Sequence, residues 1–224
     1  MCNISGIIWG MRNLTRQDVF GKKVIEVGSY NVNGSFRSFL TAWSPSEYTG
    51  VDISDGPGVD VVCNAEKITD KFGKERFDIV ISTELLEHVQ DWRKVISNLK
   101  DICKPDGLIL ISTRSHGFPY HGYPHDFWRY EIEDMTAIFA DCEILSLEKD
   151  QLAPGVFLKV RKPQHYIRKD LQNYPLYNIV KNNKTILPPV TKDYWNAYFL
   201  FNIIFKIEFK RLLHSGIDFI FSFL

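Results

Sequence analysis

Short apolar runs alternate with segments of helical spacing from residue 23 to about residue 163, and no other feature of the sequence restricts the fold as strongly. Seven apolar runs predict strands, at residues 24–27, 48–52, 60–63, 77–82, 108–112, 142–147 and 156–160. Helical spacing is found over residues 35–43, 91–102 and 132–139. Short continuous apolar runs are typical of parallel strands that are buried on both faces. The alternation therefore predicts an α/β fold with a doubly wound, mostly parallel seven-stranded sheet.

The composition excludes several classes of protein. Of the 224 residues 45% are hydrophobic, which is enough for a packed core and too much for a disordered chain. The 27 basic and 27 acidic side chains give no net charge, whereas domains that bind the nucleic-acid backbone are usually basic. No apolar run is long enough to cross a membrane, and residues 1–9 do not resemble a signal peptide. The four cysteines are widely spaced, which predicts reduced thiols in a cytoplasmic protein.

The neutral total conceals two parts of opposite charge. Residues 1–163 contain 19 basic and 23 acidic side chains, whereas residues 164–224 contain 8 basic and 4 acidic ones. The alternation of strands and helices also stops near Pro163, and aromatic residues are concentrated in residues 194–224. We therefore predict an α/β domain over residues 1–163 and a basic, aromatic, helical extension over residues 164–224.

Polar residues follow the predicted strands at the sheet edge where open α/β folds bind their ligands. Glu26 and Gly28 close the first strand, Asp52 ends the second, and residues 64–66 follow the third. A glycine permits a tight turn and a close approach of the backbone to a ligand. A carboxylate at the end of the second strand can accept hydrogen bonds from both hydroxyls of a ribose. Residues 64–66 are placed to meet the edge of an adenine ring.

In this order and spacing, the residues resemble those of the class I S-adenosylmethionine (SAM)-dependent methyltransferases over about residues 20–163. The resemblance rests on Glu26 and Gly28, on Asp52 and Ile53, on residues 64–66, on the run 77–89 and on the turn 104–108. It implies a Rossmann-like fold, SAM as the cofactor and S-adenosylhomocysteine as the product. The residues that it implies for cofactor binding are Glu26, Gly28, Ser29, Asn31, Gly34, Asp52, Ile53, Asn64, Ala65, Glu66, Thr83, Glu84 and His88.

Two positions depart from the pattern of that family. The loop 29–33 lacks the usual second glycine beside the methionine part of the cofactor, so Ser29 and Asn31 are expected to supply polar contacts there. Asn64 stands where many members have an aspartate, and its amide can bond to adenine only as a neutral group. The incomplete GxGxxG pattern also argues against a nicotinamide-dependent dehydrogenase.

The segment 113–130 follows the fifth predicted strand and should lie over the methyl donor, where the acceptor enters. Methyl transfer to a hydroxyl is an in-line displacement, and the enzyme positions the acceptor and takes up its proton. Histidine suits that role because its ordinary pKa lies near neutrality. His121 and His125 are the predicted bases, with Asp126 as orienting group or alternative base. Similar segments occur in methyltransferases of glycan and natural-product pathways, which implies a hydroxyl of a sugar, a glycan precursor or another small molecule as the acceptor.

The residues after the fourth strand permit a different interpretation. Glu84, Glu87 and His88 on one helical turn, together with His125, could hold Mg²⁺, which would polarise the acceptor hydroxyl. Ubiquinone-pathway O-methyltransferases and RNA ribose 2′-O-methyltransferases have a similar pattern. A metal-dependent RNA enzyme is therefore an alternative, although the net charge counts against it. A non-catalytic scaffold with the same fold is a third possibility.

The extension has the spacing of an amphipathic helix over residues 194–213. Two stripes run along it, one of Asn202, Lys206 and Lys210 and one of Trp195, Phe199, Ile203 and Ile207. Such a helix either lies on a membrane interface, with residues 194–224 in peripheral contact, or packs on the α/β domain or on the second subunit of a homodimer.

Overall fold

Ten strands and six α-helices are present in residues 3–122 and 125–201, which are the residues that this computed structural model describes. The strands are β1 (Lys23–Val27), β2 (Glu47–Asp52), β3 (Val61–Val62), β4 (Phe77–Thr83), β5 (Cys103–Arg114), β6 (Trp128–Arg129), β7 (Glu143–Lys149), β8 (Gly155–Arg161), β9 (Leu176–Asn178) and β10 (Asn183–Thr185). The helices are α1 (Ile4–Asn13), α2 (Arg16–Val19), α3 (Arg37–Thr41), α4 (Ile68–Phe72), α5 (Trp92–Ile102) and α6 (Ile132–Ile138).

Seven strands form one sheet in the order β3-β2-β1-β4-β5-β8-β7. The strands from β3 to β5 are parallel, whereas β8 runs antiparallel between β5 and β7. The predicted Rossmann-like, doubly wound and mostly parallel seven-stranded sheet is therefore confirmed. Strand order reverses between β1 and β4, because β2 and β3 lie on one side of β1 and the later strands lie on the other. Such a reversal opens a crevice at the carboxyl ends of the strands.

Both faces of the large sheet are buried, as its continuous apolar strands require. Successive residues of β1 enter opposite clusters, since Val24 packs with Trp9 while Ile25 packs with Trp92 of α5. The ring of Trp9 stacks on Phe157 of β8 at a centroid distance of 5.3 Å. Helix α1, which was not predicted, thus covers one face of the sheet, and α5 covers the other.

Residues 164–201 are anchored on the α/β domain by hydrogen bonds and by a second sheet. Asp141 accepts hydrogen bonds from Lys100 Nζ (2.6 Å), Tyr166 Oη (3.0 Å) and the Lys169 backbone nitrogen (2.9 Å). The second sheet has the order β10-β9-β6, and its strand β6 belongs to the segment 113–130. Residues 176–178 and 183–185 are therefore strands rather than part of the predicted helical extension, because β6 provides a hydrogen-bonding edge for β9.

The structure describes the predicted helix 194–213 only as far as residue 201, and that part is not one continuous helix. Residues 191–195 form a 3₁₀ turn and residues 197–201 are helical, while the stripe residues from Asn202 onward lie outside the described residues. Phe199 is 1% exposed, whereas Trp195 is 73% exposed, so the two described members of the apolar stripe face protein and solvent respectively. Within residues 3–122 and 125–201, every helix is too short or too polar to span a bilayer.

Replacement of Asp141 by asparagine should lower the free energy of unfolding by about 3 to 5 kcal/mol at neutral pH, because Lys100 would keep a buried charge without its partner. The side chains of this pair are 1% and 3% exposed. Burial favours a higher pKa for Asp141, but the charge of Lys100 outweighs it and holds the pKa below the ordinary value. The stability that the ionised carboxylate contributes is therefore present near neutrality and is lost as acid protonates the group.

Urea unfolding of both proteins between pH 7 and pH 3 would measure this difference, which should shrink below about pH 4. Glu143→Gln is the matched control, because the Glu143–Arg161 pair is exposed and should contribute at most about 1 kcal/mol. Equal losses in the two variants would contradict the assigned role of Asp141.

Candidate active site

A cleft of about 550 Å³ lies at the carboxyl ends of β1 to β4, a size that suits a cofactor or a small ligand. Seven residues that were predicted to bind the cofactor line it, namely Gly28, Asp52, Ile53, Asn64, Ala65, Glu66 and His88. The other lining residues are Val27, Val51, Ser54, Cys63, Leu85, Val89, Gln90, His125 and Phe127. Leu85, Val89 and Gln90 were not predicted, although their position directly after β4 is a signal that could have identified them.

Gly28 forms part of the cleft wall in a conformation that other residues rarely adopt. Its φ is +85°, and a Cβ at this position would lie 3.1 Å from Leu85 Cβ. The backbone nitrogen of Gly28 donates to the carbonyl oxygen of Val51 at 2.8 Å. The glycine therefore allows the turns after β1 and β4 to approach each other and leaves the cleft open above them.

Asp52 is oriented by the backbone around it. One carboxylate oxygen accepts from the Tyr30 nitrogen (3.1 Å) and the other accepts from the Ser54 nitrogen (3.1 Å). A carboxylate has about four acceptor positions, so about two remain for a ligand. The Asp52 carboxylate is thus fixed in place and can accept hydrogen bonds from two neighbouring hydroxyls.

The adenine end of the cleft combines an apolar surface with an amide. Ile53 is 67% exposed and lines the cleft, so its side chain offers an apolar surface to a ligand. Asn64 Oδ1 accepts from the Glu66 backbone nitrogen at 2.8 Å. This bond fixes the amide at the start of a 3₁₀ turn and leaves its NH₂ group as the donor for a ligand.

Several residues that were predicted to bind the cofactor form hydrogen bonds within the loop after β1 and do not line the cleft. Glu26 accepts from Ser35 Oγ (2.7 Å) and Tyr48 Oη (2.6 Å), and its burial raises its pKa. Asn31 Oδ1 accepts from the Gly34 nitrogen at 2.9 Å and closes a tight turn. Two further residues lie beneath the cleft, since Ser29 and Thr83 are each 2% exposed. These side chains hold the loop after β1 and the end of β4 in shape, and their direct contact with the cofactor stays a prediction.

Glu84 does not share a helical turn with Glu87 and His88. Its φ is +51°, so the chain turns at this residue and the 3₁₀ turn begins only at Leu86. The Glu84 carboxylate pairs with Arg114 and accepts from Ser112 Oγ at 2.9 Å, on the β5 side. Burial, and then the charge of Glu87, raise the pKa of Glu84 to about 8. Glu84 therefore faces away from the cleft, contrary to the predicted cofactor and metal roles.

Glu87, His88 and His121 converge beside the cleft. One atom from each, the Glu87 Oε1 and the two Nε2 atoms, forms a group in which His88 and His121 each lie 4.0 Å from the carboxylate oxygen. Glu87 is 0% exposed, and its other oxygen accepts from Thr113 Oγ1 at 2.9 Å. Among the described residues, neither Glu87 Oε1 nor His88 Nε2 has a hydrogen-bond partner. Such buried and unsatisfied polar atoms point to a bound group between them.

The contacts of the two Nδ1 atoms determine which nitrogen of each ring carries the proton. His121 Nδ1 lies 2.9 Å from Asp126 Oδ2, and the same oxygen accepts from the His121 backbone nitrogen at 2.9 Å. His88 Nδ1 contacts the carbonyl oxygen of His125. Because a carboxylate and a carbonyl accept hydrogen bonds, each neutral ring holds its proton on Nδ1 and presents a free lone pair at Nε2.

Asp126 is placed as an orienting group and not as the alternative base. It is 0% exposed and receives two bonds from the Arg129 guanidinium, at 2.6 and 2.9 Å. Burial favours a higher pKa for Asp126, but the hydrogen bonds from Arg129 and His121 outweigh it and hold the pKa well below the ordinary range. A carboxyl group with so low a pKa retains little capacity to take up a proton near neutrality.

The predicted metal set of Glu84, Glu87, His88 and His125 is not brought together. His121 occupies the place expected for His125, and Glu84 is directed to Arg114. His125 contributes its backbone carbonyl to His88, while its side chain lines the cleft. Spacing along the chain could not distinguish the two histidines, because the bonds from His121 to Asp126 form only in the folded chain.

The family follows from the fold and from a profile match. The sequence profile of a methyltransferase domain family matches residues 11–174. The chain therefore belongs to this methyltransferase domain family.

Individual relatives agree with this class. The ubiquinone biosynthesis O-methyltransferase of Haemophilus ducreyi is 31% identical over 112 residues, which are 42% of this chain and 46% of that protein. The match thus spans about half the length of the relative. The fold is similar to that of the 1,6-didemethyltoxoflavin-N1-methyltransferase of Burkholderia thailandensis, which was solved with S-adenosylhomocysteine. The TM-score is 0.56 and the sequences are 15% identical, and the match covers 71% of this chain and 76% of that one. For the N-methyltransferase NodS of Bradyrhizobium japonicum, the TM-score is 0.55 at 13% identity over 72% and 89%.

The cleft residues fit SAM. The two acceptor positions of Asp52 match the paired hydroxyls of a ribose, and the exposed Ile53 offers an apolar surface to adenine. Asn64 offers donors to the ring nitrogens. The wall at Gly28 leaves room for the rest of the cofactor to reach the side of the cleft where His88 lies.

Proposed function

We propose that this chain transfers the methyl group of SAM to a hydroxyl oxygen of a small-molecule acceptor, with a sugar or glycan precursor as the class that segment 113–130 suggests. The observation that supports the proposal is the convergence of Glu87, His88 and His121 beside the cofactor cleft. When bound, SAM supplies an electrophilic methyl group on its sulfonium.

His121 acts as the base in this proposal. Its Nε2 takes the proton of the acceptor hydroxyl, while Asp126 holds the Nδ1 proton and stabilises the imidazolium that forms. Arg129 keeps Asp126 ionised and in place. The buried Oε1 of Glu87 lies 4.0 Å from His121 Nε2, on the side where the acceptor would lie in this proposal. His88 and the buried Glu87 orient the hydroxyl.

Transfer of a tritium-labelled methyl group from SAM into pools of phenols, alkyl glycosides, sugar nucleotides and lipid-linked sugars tests the proposal. Label on an oxygen of a product would support it and would identify the acceptor class. Label on nitrogen would overturn the oxygen acceptor, and failure to bind S-adenosylhomocysteine in calorimetry would overturn the cofactor assignment.

Asp52→Asn should weaken the binding of S-adenosylhomocysteine by about 10 to 100-fold, because hydrogen bonds to a charged acceptor contribute about 1.5 to 3 kcal/mol. The amide has the same size and can still accept one backbone bond, so the fold should be retained. Titration calorimetry of both proteins measures the change. Asp55→Asn, an exposed aspartate three residues further along, is the control and should bind like wild type. An unchanged dissociation constant for Asp52→Asn would remove this residue from the cofactor site.

A metal-dependent reaction is the second candidate, and it is favoured by Glu87 Oε1 and His88 Nε2, which are buried and have no hydrogen-bond partner among the described residues. Two imidazoles and one carboxylate are a donor set for zinc or another transition metal, whereas Mg²⁺ prefers oxygen ligands. In this alternative Glu87, His88 and His121 would hold the ion, and its chemistry would be to lower the pKa of the acceptor hydroxyl. Activity that is lost with EDTA and restored by Zn²⁺ or Mn²⁺ would support this candidate, and activity that is unaffected by EDTA would exclude it.

A further inference from the structure

A second cavity, of about 690 Å³, opens beside the cofactor cleft. The two share Gln90, His125 and Phe127, so they adjoin each other. The rest of the described wall comes from residues 189–200, which lie beyond residues 11–174, the part that matches the family profile. The extension therefore supplies most of a compartment next to the cofactor cleft.

The wall of this cavity is mainly apolar, and none of its described residues is an acidic residue, a lysine or an arginine. Its described residues from the extension include Trp195 and Leu200, which are 73% and 39% exposed, together with Pro189, Val190 and Tyr194. None of the described lining residues carries a formal charge near neutrality except His125, if that ring is protonated. A phosphate or carboxylate would require arginine or lysine partners, so the wall does not suit a nucleotide. Exposed aromatic and aliphatic side chains beside a site are suited to cover an apolar group.

The cavity is held in place by the residue that precedes His121. Phe199 is 1% exposed, and its ring lies 5.3 Å from that of Tyr120. Asn196 fixes the backbone there, because its Nδ2 donates to the Val180 carbonyl (3.0 Å) and its Oδ1 accepts from the Phe199 nitrogen (2.8 Å). The apolar wall and the candidate base are therefore parts of one packed unit, with a fixed separation between them.

We propose that this cavity binds an uncharged hydrocarbon group of the methyl acceptor while His121 receives the acceptor hydroxyl. This inference rests on the proposed function and narrows its substrate class to acceptors that have an apolar group next to the methylated hydroxyl. Both a lipid-like sugar and an alkylated phenol have that chemistry, and the test separates them.

The test uses the full chain with saturating S-adenosylhomocysteine, so that the cofactor cleft is filled and only the second cavity is open. Two probe series are titrated below their micelle concentrations, para-alkylphenols and alkyl β-glucosides with chains of one to eight carbons. The dissociation constant should fall by about fourfold for each methylene that enters the cavity, by the usual transfer free energy of a CH₂ group. The series that binds more tightly identifies the head group.

Trp195→Ala should weaken binding of the eight-carbon probe by roughly tenfold and leave the one-carbon probe unchanged, because Trp195 is 73% exposed and lines the cavity. Phe20→Ala, at a 59% exposed aromatic residue that lines neither cavity, should behave like wild type. Equal affinity along both series, or equal chain dependence in Trp195→Ala, would overturn the proposal. So would a dimer that Trp195→Ala dissociates, because the wall would then belong to a second copy. Methyl transfer to oxygen without any chain dependence would leave the proposed function intact.

Discussion

His121→Ala should lower kcat by about 10² to 10⁴-fold and leave the affinity for S-adenosylhomocysteine unchanged, because general base catalysis typically contributes that factor. The reason is geometric. His121 is the histidine whose Nδ1 is held by a buried carboxylate and whose Nε2 lies 4.0 Å from Glu87. The ring is not part of the cleft wall, so its removal should not disturb cofactor binding. Single-turnover kinetics with labelled SAM and calorimetry of the same protein measure the two quantities.

Two other histidines of the same segment are matched controls. His116→Ala should keep full turnover, because its ring packs at 4.6 Å against Tyr177 and takes no part in the cluster. His125→Ala should lose less than His121→Ala, since His125 serves His88 through its backbone carbonyl, which the substitution retains. A larger loss in His125→Ala than in His121→Ala would reverse the assignment of the base.

Arg129→Met should lower the free energy of unfolding by about 3 to 5 kcal/mol, because it leaves the buried Asp126 carboxylate without the arginine that neutralises it. Arg129 is 1% exposed, and besides its two bonds to Asp126 it donates to the carbonyl oxygens of Phe118 (3.3 Å), Pro119 (3.2 Å) and Trp128 (2.8 Å). Its loss therefore removes the cationic partner of one carboxylate and the donor of three carbonyls. Urea denaturation at pH 7 measures the change.

The double variant Asp126→Asn with Arg129→Met should be more stable than Arg129→Met alone, since it removes the buried charge that the single change leaves behind. Arg161→Met is the surface control, because its pair with Glu143 is 44% and 58% exposed and should contribute at most about 1 kcal/mol. Additive losses in the double variant would show that Arg129 and Asp126 do not act as a pair.

The fold could be predicted because the sequence patterns that indicate its strands and helices each lie within a few neighbouring residues. Continuous apolar runs such as that of β1 are required by burial on both faces, and helix α5 begins where Asp91 accepts from the Lys94 nitrogen at 3.0 Å. The position of Asp52 in the cleft could also be predicted, because a residue at the carboxyl end of a parallel strand lies at the edge of the sheet where ligands bind.

Which of the candidate carboxylates and histidines come together could not be predicted, because this depends on contacts that form only in the folded chain. Glu84 and Glu87 are both glutamates after β4, yet the positive φ of Glu84 sends its carboxylate toward Arg114. His121 and His125 are equivalent in type, and only His121 bonds through its ring to Asp126 among the described contacts.

The sequence by itself determined the mostly parallel α/β sheet, the sheet edge where a ligand is expected and the resemblance to the methyltransferases. These features depend on burial and on residues that lie next to strand ends. Only the tertiary structure decided that Glu87, His88 and His121 meet, that Asp126 bonds to His121, and that residues 189–200 line a second cavity nearby. The physical reason is that side-chain direction in a loop is set by the partners that bury it, and the sequence pattern does not reveal those partners.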